Sequence, residues 1–226
     1  MPHIVIKLSG SYINPSQPPA VIESFAKVIK EVKAMGFNVG VVVGGGAIAR
    51  SYISHVKHLG ASQAICDYIG ILVSRLNAHL LIAALKEEAY PLPPTSLEEA
   101  LSALLSGRIV VMGGLQPGQS TNAVAAILAE LTRAPTLINV TTVDGVYDAD
   151  PAKKPNAKRF KKLQYNEFAE ILFARSEEAG RYELFDRVAL NIVLRSKIAV
   201  HIISGNPPEN IIRVLKGEDI GTLISE

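Results

Sequence analysis

Apolar and polar positions follow two alternating periods along the chain, which predict strands and helices in turn. Residues 3–8 and 37–43 are short, β-branched apolar runs, typical of buried strands. Between them, residues 20–35 carry apolar side chains at helical spacing and stop at Gly36. Residues 62–88 show the helical spacing again over a longer stretch. Its apolar stripe consists of Ile65, Ile69, Leu72, Leu76 and Leu80.

The same alternation continues to the last residues. Further helices are predicted at 47–59, 96–105, 121–131, 166–174, 183–196 and 208–215. Further strands are predicted at 109–112, 136–141, 198–203 and 222–224. The polar, turn-rich residues 144–163 indicate hairpins or an excursion from the sheet. The alternation predicts an α/β fold, a three-layer α/β/α sandwich whose mostly parallel sheet carries its sites at the carboxyl ends of the strands.

Composition excludes several classes of protein. The 23 Lys and Arg nearly balance the 21 Asp and Glu, so we expect neither a nucleic-acid partner nor a membrane surface. The single cysteine, Cys66, excludes an intramolecular disulfide, and the scattered histidines form no zinc motif. The amino terminus predicts a strand rather than a signal peptide, and no uninterrupted apolar run approaches the length of a membrane span. We expect a cytoplasmic protein.

Unusual residues stand at the ends of the predicted strands. Lys7 lies near the end of the first strand, before Gly10, and an ammonium group at a buried strand end requires an anion. The alternative is a lysine that reaches solvent from an edge strand. Gly44, Gly45 and Gly46 end the second strand and lead into a helix. Backbone N–H groups in such a turn can touch phosphate oxygens because no Cβ atom intervenes.

Two further strand ends carry loops of glycine and hydroxyl residues, at 113–121 and 141–151. Several backbone-rich loops together with one lysine favour phosphoryl transfer, which requires phosphates held in line and their charge neutralised. The motifs of P-loop enzymes, protein kinases, dinucleotide-binding domains and serine hydrolases do not occur in the sequence.

Taken in order, these segments resemble the amino acid kinase superfamily and, within it, the archaeal-type UMP kinases. The resemblance rests on residues 7–10, the glycine turn with Arg50, Asp67 with Gly70, and the loops 113–121 and 144–151. It covers nearly the whole chain and implies a single domain over residues 1–226. It also implies a homohexamer built as a trimer of dimers. The implied reaction transfers the γ-phosphoryl group of ATP to UMP with Mg²⁺, in pyrimidine nucleotide (CTP) biosynthesis.

The resemblance implies a role for each matching residue. Lys7 is expected to stabilise the transferring phosphoryl group, and Asp186 to lie near the phosphates, with an N-cap role as its alternative. Asp67 is expected to bind the ribose hydroxyls of UMP. The expected ATP side comprises Gly10, Ser11, Gly46, Arg50, Thr141, Tyr147 and Asp150. The expected UMP side comprises Gly45, Asp67, Leu115, Gln116, Pro117, Gly118, Gln119, Ser120 and Thr121.

Two positions depart from the pattern of the superfamily. Many members have Thr-Asp where this chain has Thr121 and Asn122, and an asparagine cannot supply the charge that helps to organise Mg²⁺. Either another carboxylate, such as Asp186 or Asp144, takes that role, or nucleotide phosphates and water hold the metal alone. Thr142 replaces a common asparagine, which bears on nucleotide geometry rather than on function.

Two other functions are left open by the residues. One is a related kinase acting on a carboxylate or another small phosphate, such as acetylglutamate, carbamate or isopentenyl phosphate. The absence of histidine directly after the first strand and from the glycine loops disfavours the isoprenoid version. The other is a nucleotide-binding or oxyanion-storage protein without turnover, which Asn122 alone supports.

Overall fold

The computed structural model of the protein describes residues 1–149, 154, 156–176 and 185–226, and for residues 173–176 the backbone alone. Its strands are β1 His3–Leu8, β2 Asn38–Val43, β3 Val110–Met112, β4 Thr136–Thr141, β5 Lys162–Gln164, β6 Ala199–Ser204 and β7 Thr222–Ser225. Its α-helices are α1 Pro19–Ala34, α2 Gly46–His58, α3 Gln63–Leu85, α4 Leu97–Leu105, α5 Thr121–Leu131, α6 Tyr165–Ser176, α7 Arg187–Arg195 and α8 Asn210–Leu215. A short 3₁₀ turn, Lys86–Glu88, follows α3.

In the described part of the chain, all of the strands join one sheet in the order β3-β2-β1-β4-β6-β7-β5. β1 pairs in parallel with β2 and β4, and β3 and β6 extend the parallel arrangement on either side. β7 runs antiparallel to β6, and β5 is parallel to β7. The prediction of a mostly parallel sheet is confirmed. Because the five parallel strands share one direction, their carboxyl ends meet at one edge of the sheet.

Helices cover both faces of the sheet, which confirms the three-layer architecture. Side chains of a strand alternate between the faces, so Val5 and Leu137 join one apolar core while Ile6 and Ile138 join the other. The first core includes buried side chains of α4, α5, α6 and α7. The second core includes buried side chains of α1, α3 and α8. β1 and β4 therefore lie between two helix layers, with α5 in the core on one face and α1 and α3 in the core on the other.

Most predicted elements agree with the structure within two residues, and β1, α5 and β4 have the predicted bounds. Two expectations need correction. The predicted helix at 183–196 begins only at Arg187, because the side chain of Asp186 caps it; residues 183 and 184 lie outside the described part. β5 was not predicted, because three residues with one buried side chain, Leu163, carry almost no period.

The long helix α3 also corrects an expectation about membrane spans. With its 3₁₀ extension, Gln63–Glu88 is long and apolar enough to cross a membrane by length and composition alone, and 39% of its most apolar window is buried. Helices in protein cores pass the same test. In the structure α3 packs against α1, α2 and β3, so its apolar character is accounted for in part by the core.

Candidate active site

Lys7 lies next to the last residue of the central strand β1, near the edge where the parallel strands end. Its exposed fraction is 3%, so the alternative of a lysine reaching solvent from an edge strand is wrong. Lys7 aligns in register with Val42 of β2 and Asn139 of β4. Asn139 is fully buried and shares a sheet face with Lys7, toward α5. Sequence reasoning missed Asn139, whose signal was one amide inside an apolar strand.

The turns after β1 and β2 interlock. A Cβ atom on Gly10 would lie 2.2 Å from the carbonyl oxygen of Gly44 and 2.5 Å from the amide nitrogen of Gly46. A Cβ atom on Gly46 would lie 2.5 Å from the carbonyl oxygen of Gly10, and the φ of +64° at Gly46 itself favours glycine. No side chain fits between these backbones. The structure thus brings together the residues predicted for the ATP side at both turns.

Two buried asparagines hold these turns from behind. Asn14 donates from Nδ2 to the carbonyl oxygens of Gly10, at 2.7 Å, and Ser11, at 3.1 Å. Asn77 of α3 donates from Nδ2 to the carbonyl oxygens of Gly44, at 2.9 Å, and Gly45, at 3.3 Å. Both residues were missed from the sequence. The available signal for Asn77 was a polar residue among the apolar positions of a long helix. A buried amide group needs a hydrogen-bond partner, so such a residue indicates a specific contact.

The loop that follows β3, residues 113–120, is fastened to the same helix. Asp67 accepts the N–H of Gly118 on Oδ2, at 3.0 Å, and the side-chain amide of Gln63 on Oδ1, at 2.8 Å. Asp67 is partly exposed, and the loop residues Gln116, Pro117 and Gly118 are exposed. The structure therefore places Asp67 at the loop with which the sequence grouped it.

The amino termini of α5 and α7 meet at this edge of the sheet. Ser120 caps α5 by accepting the N–H groups of Asn122 and Ala123 on Oγ, at 3.0 and 3.1 Å. Asp186 caps α7 by accepting the N–H groups of Val188 and Ala189 on Oδ1. Ser120 also donates its hydroxyl to Oδ2 of Asp186, which ties the two caps together. Helix amino termini carry partial positive charge, so this pair favours an anion nearby.

Thr121, the first residue of α5, lies beside the glycine turn. Its Oγ1 is 3.5 Å from the position that a Cβ atom on Gly44 would take. Asn122 is buried at the next position. The loop, the helix start and the glycine turn therefore form one continuous lining next to Lys7.

The predicted ATP residues after β4 lie on the far side of Lys7 from β2. Thr141 is buried, its Oγ1 donates to the carbonyl of Val143, and its own carbonyl accepts the hydroxyl of Tyr12 at 3.1 Å. Tyr147 donates its hydroxyl to Asp144 at 2.8 Å. This hydrogen bond, more than burial, raises the pKa of Tyr147 above its usual value. Asp150 lies outside the described residues.

Charged side chains near the site differ in how they are engaged. Asp144 accepts the hydroxyl of Tyr147 and forms an ion pair with Arg159 at 3.0 Å. Arg50 is exposed one turn into α2. Among residues 1–149, 154, 156–176 and 185–226, no group of three or more His, Cys, Asp or Glu side chains is arranged to hold a metal ion.

Comparison with known proteins places this arrangement in a family. Residues 2–204 match the Amino acid kinase family. The chain belongs to that family. The uridylate kinase of Hyperthermus butylicus is 49% identical over 222 residues, 98% of this chain and 97% of that protein. The uridylate kinase of Methanothermobacter thermautotrophicus is 47% identical over 98% of both chains.

Solved structures give the same likeness. The crystal structure of uridylate kinase from Archaeoglobus fulgidus matches with a TM-score of 0.88 and 42% identity, over 98% of this chain and 99% of that one. The UMP kinase of Bacillus anthracis matches with a TM-score of 0.82 and 25% identity, over 100% and 97% of the two chains. The resemblance inferred from the strand-end residues is confirmed.

Proposed function

We propose that the protein is an ATP-dependent UMP kinase, which transfers the γ-phosphoryl group of ATP to UMP and yields UDP and ADP. The observation that carries the proposal is Lys7, buried at the carboxyl end of a central strand beside two interlocked glycine turns. The near full-length likeness to archaeal uridylate kinases supports UMP as the acceptor. The related-kinase and storage alternatives are not favoured.

The reaction is a direct in-line transfer without a phosphoenzyme. Phosphoryl transfer gathers negative charge on the equatorial oxygens, and groups fixed in advance around that charge lower the barrier. Lys7 supplies a full positive charge from a buried position, where water does not screen it. The amino termini of α5 and α7 add partial positive charge at the same edge of the sheet.

ATP binds across the turns after β1 and β4 in this proposal. Gly10, Ser11 and Gly46 offer backbone close to the triphosphate because no side chain fits between the turn after β1 and the turn after β2. Thr141 and Tyr147 line the adenine and ribose pocket together with Asp150, and Arg50 reaches the phosphates from α2. The hydroxyl of Tyr147 donates to Asp144, and this hydrogen bond raises the pKa of Tyr147.

UMP binds between the glycine turn and loop 113–120 in this proposal. Gly45 faces the phosphate of UMP. Asp67 accepts hydrogen bonds from the two ribose hydroxyls, since a carboxylate has an acceptor oxygen for each of them. The residues around the base and sugar are Leu115, Gln116, Pro117, Gly118, Gln119, Ser120 and Thr121.

Mg²⁺ is expected to enter with ATP and to neutralise charge on its phosphates. The donor set of the chain fits a metal held mainly by phosphate oxygens and water, which is the usual binding mode of Mg²⁺ in kinases. In the described residues no carboxylate cluster competes with that mode. Asp186 is the carboxylate at the amino termini of α5 and α7. We assign to it the role of the aspartate that many other members of the family have in place of Asn122.

Assembly and location follow from the same identification. We infer one catalytic domain over residues 1–226 and a cytoplasmic homohexamer built from dimers. Exposed apolar side chains on one side of α3 support a subunit contact there: Ile65 at 51%, Tyr68 at 51%, Leu72 at 38% and Leu76 at 65% exposure. Burial of such a stripe between subunits would remove it from water, as the hydrophobic effect favours.

A panel of acceptors tests the proposed reaction. With ATP and Mg²⁺, we expect UMP to give UDP, and the other nucleoside monophosphates to react more slowly. Chromatographic separation of each diphosphate measures the outcome. Phosphorylation of acetylglutamate, carbamate or isopentenyl phosphate with UMP inert would establish the related-kinase alternative. Tight ATP or UMP binding without product over hours would establish the storage alternative.

The variant Lys7→Met tests the buried ammonium. It preserves an unbranched side chain of similar size but removes the charge, so we expect kcat to fall by about 100-fold or more. Steady-state kinetics and circular dichroism separate loss of catalysis from loss of fold. The matched control is Lys162→Met, at an exposed position of β5, which should retain full activity. A Lys7→Met enzyme with unchanged kcat contradicts the mechanism.

The variant Asp186→Asn separates the charge of Asp186 from its capping role. Asparagine caps a helix about as well as aspartate, so we expect the free energy of unfolding to change by less than about 1 kcal/mol. Loss of the carboxylate near the phosphates should lower kcat about tenfold or more and raise the Mg²⁺ requirement. Asp219→Asn, which removes an exposed carboxylate paired with Lys161, is the control. If kcat and the Mg²⁺ dependence are unchanged, Asp186 is a helix cap only.

The variant Leu76→Lys tests the subunit contact. Analytical ultracentrifugation should give the wild-type protein a mass about six times that of the 24.2 kDa chain and the variant a smaller one, because a charge cannot be buried in an apolar seam. Leu105→Lys, at an exposed position outside α3, should leave the mass unchanged. A variant that retains the wild-type mass excludes this face of α3 as the contact.

A further inference from the structure

The start of loop 113–120 lies directly against the backbone of α3. A Cβ atom on Gly113 would lie 2.6 Å from Oγ of Ser74 and 2.7 Å from the backbone nitrogen of Arg75. A Cβ atom on Gly114 would lie 3.0 Å from Cγ1 of Ile71. The paired glycines therefore allow the loop to approach α3 so closely that side chains of α3 reach the backbone of the loop.

Both polar groups of the Gly114 backbone are held by neighbouring residues of α3. Ser74 accepts the N–H of Gly114 on Oγ at 2.8 Å and donates its own proton to the carbonyl of Ile71 at 2.7 Å. Arg75 donates from Nε to the carbonyl of Gly114 at 3.0 Å. The two peptide groups on either side of the Gly114 Cα atom are thus fixed from one helix.

The guanidinium of Arg75 reaches two further carbonyls. From Nη2 it donates to Leu115 at 3.2 Å and, at 3.5 Å, to Thr95. The N–H and hydroxyl of Thr95 in turn donate to Glu99, at 2.7 and 2.9 Å. A rigid, planar set of donors suits adjacent carbonyl groups, and the single ammonium of a lysine does not reproduce it.

The other tether of the loop involves a group assigned to substrate. Asp67 holds the N–H of Gly118, but the same carboxylate accepts the ribose hydroxyls of UMP in the proposed function. That tether is therefore shared with the substrate when UMP binds. The hydrogen bonds of Arg75 to the loop go to backbone carbonyls, and its side chain is not assigned a contact with UMP.

We propose that Arg75 is a positioning residue for the acceptor nucleotide, acting through the root of loop 113–120. The inference rests on the proposed UMP kinase function. By fixing the carbonyls of Gly114 and Leu115, Arg75 sets the shape of the uridine pocket before UMP arrives. Without it, ordering of the loop has to accompany UMP binding, which weakens binding of UMP but not of ATP.

Kinetics of Arg75→Met and Arg75→Lys test the inference. We expect Arg75→Met to raise KM for UMP about tenfold, with KM for ATP within about twofold and kcat at saturating UMP within about threefold of wild type. Arg75→Lys should behave like Arg75→Met, since it preserves the charge but not the planar donors. The control is Arg195→Met, which removes a guanidinium bound to Glu130 outside the site and should change neither KM.

Amide hydrogen exchange of the nucleotide-free protein gives a readout that does not require activity. In Arg75→Met we expect faster exchange at residues 114–118 and unchanged exchange in β1. Arg75→Gln preserves one amide donor and replaces the methionine variant if that variant does not fold. Equal rises in both KM values, full rescue by Arg75→Lys, or unchanged exchange would overturn the inference. A wild-type enzyme inactive on UMP would instead refute the proposed function.

Discussion

The site depends on contact between two pieces of backbone that have no side chains. Gly10 and Gly46 lie so close that a methyl group on either would overlap the main chain of the other. This approach lets the turns after β1 and β2 form one surface next to Lys7, where the oxygens of two phosphates can be in reach of the same charge. Any side chain there would force the turns apart and, in the proposed reaction, move the phosphoryl donor away from the acceptor.

Side chains of the surrounding helices and loops hold these turns. Asn14 and Asn77 bind their carbonyls, and Ser74 and Arg75 bind the root of loop 113–120. Buried amides and hydroxyls with satisfied partners fix backbone more rigidly than apolar packing alone, because breaking such a bond leaves a polar group without a partner. The backbone positions around the cleft are therefore held by residues that are not themselves assigned to the proposed substrates.

Helix α3 combines two roles on different sides. Asp67 and Ser74 hold loop 113–120, and Asn77 holds the glycine turn after β2. On another side of the helix, Leu72 and Leu76 expose an apolar surface. By length and composition alone, this helix with its 3₁₀ extension could cross a membrane. Packing of its buried side against α1, α2 and β3 accounts for part of that apolar character, and the proposed subunit contact accounts for the remainder.

The order of strands and helices was readable from hydrophobic periodicity. Lys7 stood out because an ammonium group is costly at a buried strand end, and the glycine turns because they let backbone approach a phosphate. Tertiary structure decided the rest. Asn77 is a polar residue in a largely apolar helix, so its hydrogen bond to the carbonyl of Gly44 became evident only when distant segments met. That Asp186 caps α7 and also accepts the hydroxyl of Ser120 became evident for the same reason. Local periods fix which face of an element is buried, but hydrogen bonds across 30 or 60 residues depend on how those faces pack.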